Sequence, residues 1–442
     1  MIMGNKESSK SKTIFLECAS LVVVSFFVGA LVGLIGAALA YILKGVEAIY
    51  KGTFENKTGL ILYAVFSALA AALFYFLMRF FKLSVGNGRA VLAKFTNDEH
   101  IAWYEYPLLL VGFFVSFFAG MPVGQAEICR TAGVVLTKKI YRRVSIDDGD
   151  AFEIVGGSSF GAAFVSPLAG LAYIFETKKF KVSFLFALKA VLSAGVASVS
   201  CYLIRCLFDL QSVFVYKIEA IGSFSWSSLI VYVIMGIILA FVSGAIVLLT
   251  RKAKLFFEEK RIAQKVSDFS TIAIFLVAFL CTLFGLYFEW KTFSLAGYDG
   301  SRIFSLIDHF KSVGLIIGTT ALWLFFVLLL PHSNLLGGKV IPMITLGMLV
   351  GLCFSKYGVD RNIIGNDESL LMISVAMFSF YGVAYKRPLT AFALALTFTK
   401  WANVPYEILP LIFAMAPGYL LNVFLKVPGF GEITGNEAIG QI

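Results

Sequence analysis

Residues 14–43, "IFLECASLVVVSFFVGALVGLIGAALAYIL", carry a single charged side chain, Glu17. A soluble domain has no place to bury a run of that length, whereas about 20 such residues in a helix cross the hydrocarbon of a bilayer. Comparable runs recur at 59–81, 102–119, 183–207, 226–250, 269–289, 314–330 and 406–425. The chain is 59% hydrophobic and 14% charged, where soluble domains are roughly a quarter charged. It therefore reads as an all-α polytopic membrane protein. The start, "MIMGNKESSKSK", is polar and short with no cleavage site after the first run, so no removable leader is expected.

Lysine and arginine total 37 against 27 acids, a net charge of +10. The basic residues gather in short clusters: Lys6–Lys12, "TKKIYRR" (137–143), "TKKFK" (177–181) and "RKAKLFFEEKRIAQK" (251–265). Placed in loops between spans, this is the positive-inside pattern, a matter of topology and not of nucleic-acid binding. It implies cytoplasmic clusters, cytoplasmic termini and residence in the plasma membrane. The six cysteines occur singly, the three histidines lie far apart, and neither an HExxH nor a Walker loop is present. No metal site, cofactor or ATP-driven step is expected, and no nucleophile–base pair suggests an enzyme.

Between the long runs lie shorter apolar pieces flanked by Gly or Pro: 87–96, 122–136, 150–164, 167–176, 338–352, 369–384 and 388–400. Each reads as too short or too broken for a standard span. Helix ends at membrane depth must be buried in protein or line a cavity, so a set of half-helices points to a transporter or channel. "FGAAFVSPLAGLAYIFET" (160–177) and "YGVAYKRPLTAFALALTF" (381–398) align without gaps at an offset of 221. Gly161/Gly382, Ala163/Ala384, Pro167/Pro388, Leu168/Leu389 and Ala172/Ala393 are identical, and Phe160/Tyr381 and Phe164/Tyr385 are aromatic pairs. We therefore divide the chain into a tail (1–12), two related halves (13–210 and 211–425) and a short C-terminal segment (426–442), with the site where the halves meet.

Pro167 and Pro388 suit first turns of helices, and "GGKVIP" (337–342) and "GNG" (86–88) have the same opening character. Glycine permits close backbone approach, and N-terminal N–H groups attract anions. Several such ends aimed inward imply a small anion as substrate.

With these motifs in this order, residues 20 to 425 resemble the CLC family of anion channels and proton-coupled anion antiporters. "GAAFVSPLAGLAYIFE" resembles the family segment with Asn-Ala-Pro-Leu-Ala-Gly, and "GGKVIPMITLG" the Gly-x-Phe-x-Pro signature. "RPLTAFALALT" resembles the Ala-Pro-Leu-Thr-Gly segment, "GNGRA" stands for Gly-Ser-Gly-Ile-Pro, and "GMPVGQAEI" for Gly-Arg/Lys-Glu-Gly-Pro. The resemblance implies a CLC fold of two inverted repeats, a homodimer, one pathway per subunit, and chloride or fluoride as substrate. It also implies a set of site residues. Gly86, Asn87 and Gly88 hold the place of the anion-contacting serine, where Asn87 either donates to the anion or caps the next helix. Backbone N–H groups of Lys339 and Val340 correspond to the second anion signature. The Lys339 charge either raises local anion concentration or reaches out to water.

Pro122 occupies the position of the family's gating glutamate. Thr177 stands where the chloride antiporters have their inner proton glutamate, after the retained Glu176. Thr397 and Thr399 stand where the fluoride antiporters have a glutamate and a threonine, while Val123 and Glu127 match the fluoride branch's opening motif. Glu127 is either a displaced proton carrier or a structural partner of Arg130. Phe430 or Gly431 falls at the pore-lining tyrosine, Phe430 being a candidate gate or a packing residue. No regulatory nucleotide-binding domain is expected to follow. With the proton carboxylates replaced, the expected activity is passive or proton-uncoupled halide transport. The alternatives are a fluoride/proton antiporter and a non-transporting membrane sensor or assembly partner.

Overall fold

The structure, a computed structural model, describes residues 3–54, scattered positions in 61–80, 105–118, 123–144, 150–180, 182–210, 224–287, 313–333, 335, 337–399 and 404–430. Thirteen α-helices make up these parts, and no strand occurs among the described residues. The first half holds α1 (Met3–Phe54), α2 (Glu105–Phe118), α3 (Ala126–Val144), α4 (Ala151–Ala163), α5 (Pro167–Thr177) and α6 (Phe184–Leu207). The second holds α7 (Leu229–Glu259), α8 (Ala263–Tyr287), α9 (Val313–Leu329), α10 (Val340–Asp360), α11 (Ser369–Tyr385), α12 (Pro388–Phe398) and α13 (Val404–Phe424).

Within each half the first helix crosses the last at a glycine. A methyl group on Gly29 would stand 2.2 Å from the Ala197 carbonyl oxygen, where α1 meets α6. One on Gly236 would stand 1.9 Å from that of Ala414, where α7 meets α13. Lipid offers no hydrophobic drive for helices to associate, so close backbone approach at small residues supplies the contact instead. In the first half, hydroxyls add to it: Ser193 lies 2.7 Å from Ser25 and 2.8 Å from Ser158, tying α6 to α1 and α4. Lys189 and Glu17 pair at 2.9 Å across the α1–α6 contact.

The repeat is visible as one turn built twice. The α4–α5 turn places Val165 at φ 55°, Ser166 as N-cap and Pro167 in the first helical turn. The α11–α12 turn places Lys386 at φ 54°, Arg387 as N-cap and Pro388 likewise. In both, the N-cap N–H donates back to the repeat glycine: Ser166 to Gly161 at 2.9 Å and Arg387 to Gly382 at 3.0 Å. Both following helices have 11 residues.

Some expectations need correction. Segments 338–352 and 369–384 are not fragments. Val340–Asp360 and Asn366–Tyr385 are long and apolar enough to cross a membrane, and 78% and 89% of their apolar windows are buried. Enclosed on all sides by protein, they tolerate glycine, serine and a terminal Lys356–Asp360 pair that dilute their hydropathy. Within 102–119 the described residues form α2. The basic cluster 137–143 and the first part of 251–265 are not loops but the ends of α3 and α7. Lysine and arginine are good helix formers and favour the C-terminal end of a helix dipole.

Gly236→Ala is expected to cost ~3 kcal/mol because its neighbour is backbone and cannot turn aside. Gly195→Ala, in open space, should stay within ~0.5 kcal/mol of the parent. Thermal unfolding of the two variants in detergent measures the difference.

Candidate functional site: a basic cavity between the halves

The segments leading into α3 and α10 meet in a single antiparallel bridge. Gly124 N–H donates to Gly338 O at 2.8 Å, and Gly338 N–H to Gly124 O at 2.6 Å. The contact depends on glycine: a side chain on Gly337, at φ 138°, would stand 2.5 Å from Val123 Cβ. The bridge sets the N-termini of two helices, one from each half, side by side. The first N–H groups of a helix have no partner within it and carry its positive end.

A cavity of about 20 Å³ opens there, lined by Ala126, Glu127, Arg130, Phe160, Tyr173, Gly338, Lys339, Val340, Tyr381, Tyr385 and Arg387. That is room for one or two waters or one small ion. Three cations face one carboxylate. All four are buried, with 8% of Arg130, 5% of Lys339, 3% of Arg387 and 7% of Glu127 exposed. Lys339 is the N-cap of α10 and Arg387 that of α12, so two cations stand at helix N-termini that already attract anions. Arg387 stacks on Tyr173, its guanidinium carbon 3.9 Å from the ring centroid, and Arg130 lies 5.6 Å from the same centroid. The wall opposite is aromatic: Phe160 stacks on Tyr173 at 4.5 Å, and Tyr381 meets Tyr385 at 4.8 Å. The Tyr381 hydroxyl is buried and has no hydrogen-bond partner among the described residues.

Beneath the cavity α5 and α12 run antiparallel, each closing the other's end. Glu176, in the last turn of α5, accepts from Leu389 N at 2.6 Å, Thr390 N at 3.1 Å and Thr390 Oγ1 at 2.6 Å, capping α12. Its repeat equivalent Thr397, in the last turn of α12, lies 2.6 Å from the hydroxyl of Ser166, the N-cap of α5. The retained glutamate thus serves as a helix cap in this conformation. Thr177 bonds back to Tyr173 O at 2.7 Å.

Of the residues singled out in the sequence, Glu127, Lys339 and Val340 reach the cavity wall. Phe430 is fully buried and meets Tyr385 edge-on at 5.5 Å, one ring behind that wall. Glu176, Thr177 and Thr397 lie on the α5–α12 contact. Thr399 turns away from it and donates to Glu407. Gly86, Asn87, Gly88 and Pro122 lie outside the described residues. Arg130, Tyr173 and Arg387 were not foreseen as lining the site. The signal for Arg387 was present in the repeat, since an arginine stands immediately before the helix-opening proline.

Inverted halves, broken helices and a buried cationic cavity where they meet define a membrane transport architecture. A family model, voltage gated chloride channel, matches residues 74–422, and the chain belongs to that CLC family of anion transporters and channels, which are not enzymes. Three solved structures are similar in fold. A slow cyanobacterial Cl⁻/H⁺ antiporter matches with TM-score 0.71 at 19% identity, covering 96% of this chain and 98% of that one. A CLC-type fluoride/proton antiporter matches with TM-score 0.67 at 17% identity, covering 92% and 97%. A eukaryotic CLC transporter matches with TM-score 0.69 at 15% identity, covering 96% and 75%. Direct sequence comparison with curated proteins finds no match.

Glu176→Ala should destabilise the fold by ~1–2 kcal/mol, the range for a lost helix cap. Glu176→Gln, which still accepts from Thr390, should lose less. Detergent melting curves of the two variants decide.

Proposed function

We infer that the chain moves a small halide, chloride or fluoride, through the basic cavity without stoichiometric proton exchange. The observation that carries this reading is the excess of buried cations over carboxylate in a space of one-ion size. Taking three cations out of water is costly, and an anion among Arg130, Lys339 and Arg387 offsets part of that cost. Lys339 and Val340 present the α10 N-terminus to it, and Tyr381 supplies a hydroxyl donor. Pro122, at the position of the family's gating glutamate, can neither carry a proton nor swing as a carboxylate. Gly86, Asn87 and Gly88 complete the anion's surroundings by the family resemblance. The functional unit is a homodimer in the plasma membrane with cytoplasmic termini, one pathway in each subunit.

Glu127 in the cavity wall favours one second reading, a fluoride/proton antiporter in which this carboxylate carries the proton. Halide efflux from liposomes, chloride against fluoride, with and without a protonophore, separates the two. Efflux with no accompanying proton movement supports the leading reading. A fixed proton-to-halide ratio abolished in Glu127→Gln supports the antiporter. No flux from a folded protein overturns both. Lys339→Met should weaken anion binding by ten- to a hundredfold, from about 1.5–3 kcal/mol for a charge-assisted contact. Titration of the detergent-solubilised protein with halide measures it.

A further inference from the structure

Away from the cavity, the N-terminal ends of α7, α11 and α13 gather around two buried carboxylates, Glu368 and Glu407, exposed by 3% and 2%. Each is held by hydroxyls. Ser228 donates to Glu368 Oε1. Ser374 donates to Glu407 Oε1 and Thr399 to Glu407 Oε2. No ion pair to either acid occurs among the described residues. Tyr232 of α7 is fully buried beside Glu368, with Glu407 farther off. The groups facing Glu407 are therefore Ser374 of α11, Thr399 at the end of α12, Tyr232 of α7 and, through Tyr232, Glu368. No titratable group of α12 faces it among the described residues. Water is close: Ser227 and Asp367, each one residue before the cluster, are exposed.

We propose that Glu407, with Glu368 and Tyr232, is a proton-binding site that sets the rate of anion flux from the face where α7, α11 and α13 begin. Its effect on flux rests on the transport reading above, whereas proton binding does not. Two carboxylates enclosed in membrane-depth protein without a cation are costly, and binding a proton removes part of that cost. The buried Tyr232 hydroxyl beside Glu368 gives the proton a further group to share. Thr399 is the C-cap of α12, so a charge on Glu407 sits against the negative end of that helix. Charging and neutralising Glu407 thus alters the hold on α12, the helix whose other end carries Arg387 into the cavity. The proton does not travel on to the anion. Ser374, Phe378, Tyr381 and Tyr385 follow one face of α11, and Phe378 packs on Phe398 at 5.6 Å between the acids and the cavity. Protons enter and leave on the same side.

Halide efflux from liposomes is measured while pH is varied on one face at a time. The expected result is a several-fold change of flux with pH on one face only, lost in Glu407→Gln and shifted in Tyr232→Phe. A Glu407→Gln profile that follows the parent overturns the proposal, as does a parent flux that ignores pH or responds to sodium at fixed pH instead. If the parent shows no flux at all, the transport reading fails on its own. Difference infrared spectra of the detergent-solubilised protein then judge the site: a pH-dependent carboxyl band absent from Glu407→Gln supports it, and an identical spectrum in parent and variant overturns it.

Discussion

Two helices of 11 residues each, α5 and α12, stand at the middle of a molecule built to cross a membrane. Each is about 16 Å long, roughly half the hydrocarbon thickness. Their ends consequently fall where water is scarce and each open N–H or C=O is costly. Neither can exist there alone. Glu176 closes the start of α12, and the Thr397–Ser166 contact closes the start of α5. The two halves of the chain are locked together by the need of each half's shortest helix for the other's last turn. A pair of inverted repeats meets this need once and has it answered twice.

The cavity follows from the same arrangement. Bringing the halves together antiparallel sets the starts of α3 and α10 against one another through the Gly124–Gly338 bridge. It also turns the N-cap of α12 toward them, where Arg387 holds the repeat position of Ser166, the N-cap serine of the first half. Helix ends alone would supply partial charges. Here Arg130, Lys339 and Arg387 add full charges on a space of about 20 Å³. Tyr173 makes the two guanidinium charges, Arg130 and Arg387, more tolerable, since an aromatic face stabilises a desolvated guanidinium by ~2 kcal/mol. A deep electrostatic well of this kind favours holding an anion over releasing it, and conduction requires that an ion also leave.

The parts of this architecture that local chemistry dictates were legible in the chain. The offset of 221 between the Pro-Leu segments set the starts of α5 and α12, because proline in a first turn needs no partner for its nitrogen. Glycines before Lys339 marked the start of α10 for a similar reason. What could not be read depends on contacts between distant segments. Hydropathy underrated α10 and α11, since a helix enclosed by protein need not be as apolar as one facing lipid. Arg387 takes its place in the cavity by stacking on Tyr173, 214 positions earlier. Glu407 carried no motif at all, and only the fold brings Thr399 and Ser374 to it.

The absence of a carboxylate at position 122 then bears on how such a pathway closes. The cavity's walls on the α11 side are rings: Tyr381 on Tyr385, and Tyr385 against Phe430. Rings do not change charge across the physiological range, so a closure made of them answers to packing and not to pH. A carboxylate gate joins closing and proton uptake in one side chain. In the proposed reading the two tasks fall to different places, steric closure to aromatic side chains at the cavity and titration to acids a helix length away. α11 and α12 connect them, each with one end at the acids and the other at the cavity. On that reading, a chain without a carboxylate at position 122 stays sensitive to protons without carrying them with the anion.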